Sequence, residues 1–177
     1  MRRLVGVMLM ALVLVGVVLM ALVLAGCGVR PTGVVDAGAP ASGLTKGLRL
    51  YFVSEPGRLE GVPRPGQEIR KPADVVKLLM GPSESEKRSG LTTLVAGGPY
   101  DVTGESDRLS VRVPDWELDP TSVQDRNLAG QLVCSRARAR SVLDKSGRTR
   151  PDDVRVTVVF VAGGGESGPH VCSDFLT

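Results

Sequence analysis

The residues best suited to chemistry in this chain are its three cysteines and its one histidine: Cys27, Cys134, Cys172 and His170. Nucleophilic catalysis needs a nucleophile, a base and an orienting group within reach of one another. His170 lies in a Gly/Pro-rich tail just before Cys172, and no Gly-x-Ser-x-Gly sequence occurs. One histidine beside a paired cysteine also falls short of an ordinary zinc site. We therefore predict no catalytic residues, no metal site and no cofactor.

Cys27 ends the sequence Leu24-Ala25-Gly26-Cys27, which resembles the lipobox of bacterial lipoproteins. The resemblance implies diacylglycerol transfer to the Cys27 sulfur, cleavage between Gly26 and Cys27, and acylation of the new amine, with palmitate as a typical acyl chain. Arg2 and Arg3 followed by the uncharged residues 4–26 supply the rest of an export signal. Residues 1–26 are accordingly predicted to be a lipoprotein signal peptide.

The apolar part of this signal contains a near repeat, because residues 6–15 read GVMLMALVLV and residues 16–25 read GVVLMALVLA. One copy has the length of a signal core, about 7–15 residues, whereas both together reach the roughly 20 residues that span a bilayer. We interpret the second copy as a duplication. The alternative is an uncleaved membrane helix with Cys27 at its edge. Because Arg2 and Arg3 stay inside, both interpretations place the rest of the chain outside.

The chain beyond the signal is nearly neutral. The two signal arginines leave 20 of the 22 Lys and Arg residues against 19 Asp and Glu, a net charge of +1 for the 151 residues that remain of 177. Nucleic-acid binding needs a strong positive field, so this balance argues against a nucleic-acid partner. The predicted partners are the plasma membrane, through the lipid anchor, and an envelope protein or cell-wall polymer. The predicted localisation is the outer face of the plasma membrane.

Cys134 and Cys172 remain as a pair once Cys27 is used for lipid attachment. In an oxidising compartment such a pair predicts a disulfide, which would tie a Gly-rich C-terminal tail to the core. The alternative is two buried free thiols. No Cys-x-x-Cys sequence occurs, which argues against thiol-disulfide exchange as the activity.

Residues 27–46 are rich in Gly, Ala, Pro, Ser and Thr and predict a flexible tether ahead of a folded domain over residues 47–177. Alternating apolar residues predict strands, and further extended pieces are expected near Leu59 and Val102. The predicted strands cover residues 48–53, 91–95, 109–113 and 154–160.

Two helices are predicted between these strands. Pro72 and Gly81-Pro82 bound a short one, and Asp119-Pro120 opens a second that runs to about Arg138. The order strand, helix, strand, strand, helix, strand predicts an α+β fold, a mainly antiparallel sheet with two helices on one face.

Five pieces of the domain resemble the GerMN domain: Leu50-Tyr51-Phe52-Val53, Leu78-Leu79-Met80-Gly81-Pro82, Ser89-Gly90-Leu91-Thr92-Thr93, Leu109-Ser110-Val111 and Gln131-Leu132-Val133-Cys134. The resemblance covers residues 48–161 and implies a lipoprotein of high-GC Gram-positive bacteria. LpqB-type relatives join this domain to a β-propeller and are implicated in modulating a sensor kinase. The printed sequence contains no segment that resembles a propeller, so we do not expect that partnership to carry over. The family's motifs are structural, and the resemblance supplies no catalytic residues.

Several polar groups could still contact a partner. The densest basic stretch, with Arg136, Arg138 and Arg140 followed by further cations to residue 150, could meet anionic headgroups or wall phosphates. The alternative is a set of cations at a helix C-terminus followed by a solvated loop. Trp116 is a candidate contact residue if it is exposed beside a groove, and a core residue otherwise.

Two further patterns have an ordinary structural alternative. Asp115, Glu117 and Asp119 could gather a cation, but their prolines favour a turn with a helix cap. The glycines of residues 163–168 follow a strand as in phosphate loops, but they lack the lysine and the following helix, which favours a mobile turn.

The sequence therefore predicts a membrane-anchored, non-catalytic binding or interaction module of the cell envelope. The first alternative is an enzyme or accessory factor acting on cell-wall material, which would need a pocket with converging carboxylates. A small-ligand carrier is a further alternative.

Overall fold

The first strand forms where alternation predicts it. The computed structural model describes residues 47–119 and 121–176, so the signal peptide, Cys27 and the tether lie outside the described residues. Strand β1 (Arg49–Val53) buries Leu50 and Phe52 and pairs antiparallel with β2 (Leu59–Pro63). The extended piece predicted near Leu59 is thus confirmed as a strand.

Two short helices follow this hairpin. Helix α1 (Asp74–Leu79) lies inside the helix predicted over residues 72–81 and packs against β1. Helix α2 (Glu84–Arg88) begins at a capping box, in which Ser83 Oγ accepts the Glu86 N–H and the Glu86 carboxylate accepts the Ser83 N–H. Glu86 also receives both Nη groups of Arg64, which holds α2 against the chain that leaves β2.

The strand predicted at residues 91–95 is wrong in extent, because an isolated bridge forms there instead. Thr92 and Val53 exchange backbone hydrogen bonds of 2.8 and 2.9 Å. Beyond that pair, the Leu94 N–H donates to the side-chain Oε1 of Gln131 at 2.8 Å. A side chain of the long helix therefore takes the place that a neighbouring strand would occupy.

The second sheet has four strands in the order in which they occur in the chain. They are β3 (Asp101–Glu105), β4 (Arg108–Val113), β5 (Arg155–Phe160) and β6 (Gly165–His170). The β3–β4 and β5–β6 pairs are antiparallel, and β4 pairs parallel with β5 because a long helix connects them. The predicted strands at 109–113 and 154–160 and the extended piece near Val102 are confirmed.

Helix α3 (Val123–Leu143) is the long connection and packs against β1 and β5. It begins later than predicted, because Ser122 rather than Asp119 caps it: Ser122 Oγ accepts the Asp125 N–H at 3.3 Å. It also extends past Arg138, to Leu143.

Polar side chains of α3 satisfy the backbone of β1 inside the core. Ser135 Oγ accepts the Tyr51 N–H at 2.9 Å, and Gln131 Nε2 donates to the Tyr51 carbonyl at 2.9 Å. Gly130, which costs about 1 kcal/mol of helix propensity, permits this close approach, because a Cβ there would lie 2.4 Å from Leu59 Cδ1. Helix and hairpin are thus joined by hydrogen bonds as well as by apolar packing.

The glycine-rich segment near the C-terminus is more regular than predicted. The sequence predicts a mobile turn over residues 163–168, but β6 begins at Gly165 and pairs with β5, with Glu166 opposite Val159. All described residues belong to one compact unit with mixed helix and strand content, which confirms the α+β class. The strands form two sheets rather than the expected one. Within the described ranges, no helix has the length and apolar character needed to cross a bilayer.

Candidate functional site

The two cysteines of the domain form a disulfide, as predicted. Cys134 of α3 and Cys172 of a 3-10 turn (Cys172–Asp174) are bonded with their Cα atoms 4.5 Å apart, and both are buried. Closing a loop of this length stabilises by about 4 kcal/mol on the chain-entropy view. The bond fixes the segment after β6 against α3.

A serine, a histidine and an aspartate meet in this fixed segment. Ser167 Oγ and His170 Nε2 are hydrogen-bonded at 2.9 Å, and His170 Nδ1 lies 3.5 Å from Asp174 Oδ2. These are the residue types of a hydrolase triad. The second distance exceeds that of a good hydrogen bond, and Asp174 Oδ2 already accepts the Val171 N–H at 3.0 Å. The side chains of His170 and Asp174 are also 31% and 47% exposed.

Sequence reasoning missed this group because it placed His170 in a Gly/Pro-rich tail and predicted a mobile turn over residues 163–168. The side chains lie within eight residues of one another, and the His170 ring packs edge-on against Phe175 with centroids 5.1 Å apart. Arg126 of α3 donates to the Asp174 carbonyl at 2.8 Å and lies over the Phe175 ring. These contacts hold the C-terminal turn on α3.

A cleft of about 240 Å³ adjoins this group and contains carboxylates. Asp125 Oδ2 accepts the Asp119 N–H at 2.6 Å and its Oδ1 accepts the Trp116 Nε1–H at 3.0 Å. Asp119 Oδ1 accepts the side chain and the backbone of Thr121, and these hydrogen bonds lower the pKa of Asp119. Both carboxylates therefore have structural partners, and that of Asp119 is poised as an ion rather than as a proton donor. These contacts favour a turn over a cation site, although Ser122 rather than Asp119 caps the helix that follows.

Trp116 has a structural role, which is the alternative to the exposed contact residue considered from the sequence. Its indole is half-buried against the hydrophobic core, and its N–H is bound by buried Asp125. The structure thus favours Trp116 as a packed residue rather than as an exposed contact.

The predicted contact at Arg136 is wrong, because its side chain is fully buried. Its Nη1 donates to the Pro72 carbonyl at 3.2 Å, and among the described residues no acceptor lies within hydrogen-bonding distance of its Nε or Nη2. Burial lowers the pKa of Arg136 to about 10, an effect that Tyr100 partly opposes. No local pattern predicts this burial, since an arginine in a basic stretch is normally solvated.

Arg138 and Arg140 are half-buried rather than displayed as a basic patch. The Arg140 Nε–H donates to the Ser106 carbonyl at 2.5 Å, which joins α3 to the β3–β4 turn. The Arg138 Nε is buried with no acceptor in the described part of the chain. The role of these two residues in partner contact stays a prediction.

The four-stranded sheet has one polar face, which we call the open face: Arg108, Ser110 and Arg112 on β4 with Arg155, Thr157 and Val159 on β5. Alternate residues of both strands point to the other side and are buried beside α3. Arg108 and Arg155 are register partners across the parallel β4–β5 pair, and both are exposed. They line a concavity of about 440 Å³ with Leu109, Thr157 and Pro169.

Among the described residues, no group of three or more His, Cys, Asp or Glu side chains is placed to hold a metal ion. Comparison with protein-family models, with curated proteins and with solved structures finds no match to this chain. The resemblance to the GerMN domain therefore stays a prediction from the residues quoted for it.

Proposed function

We propose that this chain is an extracytoplasmic lipoprotein, anchored to the outer face of the plasma membrane through Cys27, whose GerMN-like domain is a non-catalytic binding module of the cell envelope. The sequence support is the lipobox at residues 24–27 behind an uncharged apolar run. A second line of support is the buried Cys134–Cys172 disulfide, since such bonds persist in oxidising compartments outside the cytosol.

The observation that carries the binding role is the concavity at the start of β4 and β5, on the open face. The Arg108 and Arg155 side chains are exposed there without a hydrogen bond or ion pair to any described residue. By contrast, the carboxylates of the C-terminal cleft accept hydrogen bonds from the backbone and from Trp116. The concavity therefore offers a partner two neighbouring guanidinium groups that no described residue engages.

A cell-wall-acting enzyme is the second candidate, and the Ser167–His170 hydrogen bond is the observation that favours it. A fluorophosphonate probe distinguishes the two, because it labels an activated serine and not an ordinary hydroxyl. We expect no labelling of Ser167 in the purified protein. Labelling that disappears in Ser167→Ala would support the enzyme and contradict the binding module.

The anchor is tested by intact-mass measurement of protein extracted from the membranes of its native host. We expect a chain that begins at Cys27 and carries diacylglycerol and an acyl group. Cys27→Ala should retain residues 1–26 and carry no lipid. The matched control is the double variant Cys134→Ala/Cys172→Ala, which should keep the lipid. An unlipidated wild-type chain that retains residues 1–26 would contradict the proposal.

A further inference from the structure

We infer that the concavity at the start of β4 and β5 is a binding site for a phosphate ester, with the phosphate held between Arg108 and Arg155. The inference deepens the proposed function, on which it rests, because it names the ligand class of the binding module. Both guanidinium groups and the hydroxyl of Thr157 belong to residues that line this one concavity.

The pairing of the two arginines is the first reason. They occupy partner positions on adjacent strands, which lie about 4.8 Å apart. Like charges in such positions destabilise a sheet unless a counter-charge sits between them. Glu105 is the partner of Arg108 on the opposite neighbouring strand, yet no ion pair forms between them. An anion bound between Arg108 and Arg155 would turn their repulsion into two attractions.

The geometry of the donors selects phosphate over carboxylate. A guanidinium presents a planar fork that matches two oxygens of one anion. A carboxylate has two oxygens in one plane, and one fork engages both of them. A phosphate monoester has three free oxygens in a tetrahedral arrangement, so it can receive two forks and a hydroxyl donor. The Thr157 hydroxyl, which makes no hydrogen bond to another described residue, is the third donor.

The size and surroundings of the concavity favour a small ester over a membrane surface. Its volume of about 440 Å³ falls within the roughly 300–1,000 Å³ of small-molecule sites. Pro169 supplies an apolar wall for the carbon skeleton of the ester. The positive charge is local, because exposed Glu105 and Asp107 flank Arg108 and would meet an anionic bilayer with like charge.

The test is calorimetric titration of full-length protein, extracted from membranes in neutral detergent, with glycerol 3-phosphate, inorganic phosphate and uncharged glycerol. Both phosphates should bind and compete with each other, and glycerol should not bind. Arg108→Gln and Arg155→Gln should each weaken binding by about tenfold or more, the usual effect of losing a hydrogen bond to a charged group. The matched control is Arg112→Gln, which removes the same charge from the same strand outside the concavity and should change the affinity less than threefold.

Three outcomes would overturn the inference: no binding of either phosphate, equal weakening by Arg112→Gln and Arg155→Gln, or binding to phosphatidylglycerol vesicles without binding of the soluble esters. Thermal unfolding of each variant in the same detergent provides the folding control. Failure here leaves the proposed function intact when Cys27 is lipidated in the same preparation. An unlipidated chain that still binds glycerol 3-phosphate would contradict the proposed membrane anchor and support the phosphate site.

Discussion

Replacing the buried Arg136 by methionine is expected to stabilise the protein. The Arg136 side chain is fully buried, and burial lowers its pKa to about 10. At 1.36 kcal/mol for each tenfold change in proton affinity, this corresponds to about 3 kcal/mol of destabilisation from keeping the group charged at neutral pH. Methionine is unbranched and flexible, so it can occupy most of the same space without a charge.

The gain is reduced by what the substitution removes. The hydrogen bond from Arg136 Nη1 to the Pro72 carbonyl contributes about 1 kcal/mol, and a carbonyl left without a partner adds a similar cost. The expected net effect of Arg136→Met is therefore an increase of about 1 kcal/mol in the free energy of unfolding. Because the folded-state pKa is the lower one, the destabilisation is fully present below about pH 10 and is relieved only as the pH rises above it.

Urea unfolding at pH 7, followed by circular dichroism and extrapolated linearly to zero urea, measures this difference. The matched control is Arg58→Met, because Arg58 is exposed and its side chain makes no contact of this kind with the described residues. Its effect should stay within about 0.5 kcal/mol. A loss of more than about 1 kcal/mol in Arg136→Met, with the control unchanged, would refute the reasoning, since it would require a partner that outweighs the desolvation.

Three further perturbations have definite expected results. Asp125→Ala should lower the free energy of unfolding by about 2 kcal/mol in urea, because it leaves the Trp116 indole N–H and a backbone N–H without an acceptor, and Asp125→Asn should cost less. Replacing the Cys134–Cys172 disulfide by two serines should lower the melting temperature by roughly 10–15 °C, and reductant should then have no further effect. Burial raises the pKa of Glu86, but hydrogen bonds from its arginine partner and its helix cap outweigh burial and hold the pKa below 4.5. Its stabilising contribution is therefore present above about pH 4.5 and is lost as the pH falls through the folded-state pKa, so wild type and Glu86→Gln should converge in stability below that point.

The elements that the sequence predicted well are those whose pattern is local. Val154 directly precedes β5, and Val156, Val158 and Phe160 are its buried half, alternating with less buried residues. Pro72 ahead of an apolar stripe and Gly81-Pro82 after it set the limits of α1 within two residues. In each case the backbone preference and the apolar period agree, so no distant contact was needed to decide the structure.

The elements that sequence reasoning missed depend on distant partners. Strand β6 contains two glycines and a proline, and it forms because β5 offers it a backbone edge. Gln131 and Ser135 look like the solvent side of a helix, yet they are fully buried because β1 presents unpaired backbone groups to them. A polar residue in a helix carries no local sign of which neighbour will satisfy it.

The candidate site was hidden for the same reason. Arg108 and Arg155 are 47 residues apart in the chain, and they become neighbours only through the parallel register of β4 and β5. Either arginine alone is an ordinary outward residue of an alternating strand. The basic stretch that is visible in the sequence is divided between the core and the surface, because Arg136 lies on the buried side of α3.

The arginines of this domain therefore differ in solvent exposure. This difference separates the arginine that affects stability from those that affect binding. Arg136 is sealed from solvent, so its removal should change the free energy of unfolding and leave ligand affinity unchanged. Arg108 and Arg155 are exposed and repel each other, so the removal of one should leave the fold as stable as before or slightly more stable, while affinity falls. A residue whose loss costs binding without costing stability is maintained for its partner and not for the fold. The same two measurements on Arg136→Met and Arg155→Gln, with opposite expected outcomes, therefore decide whether the open face or the buried helix surface carries the function.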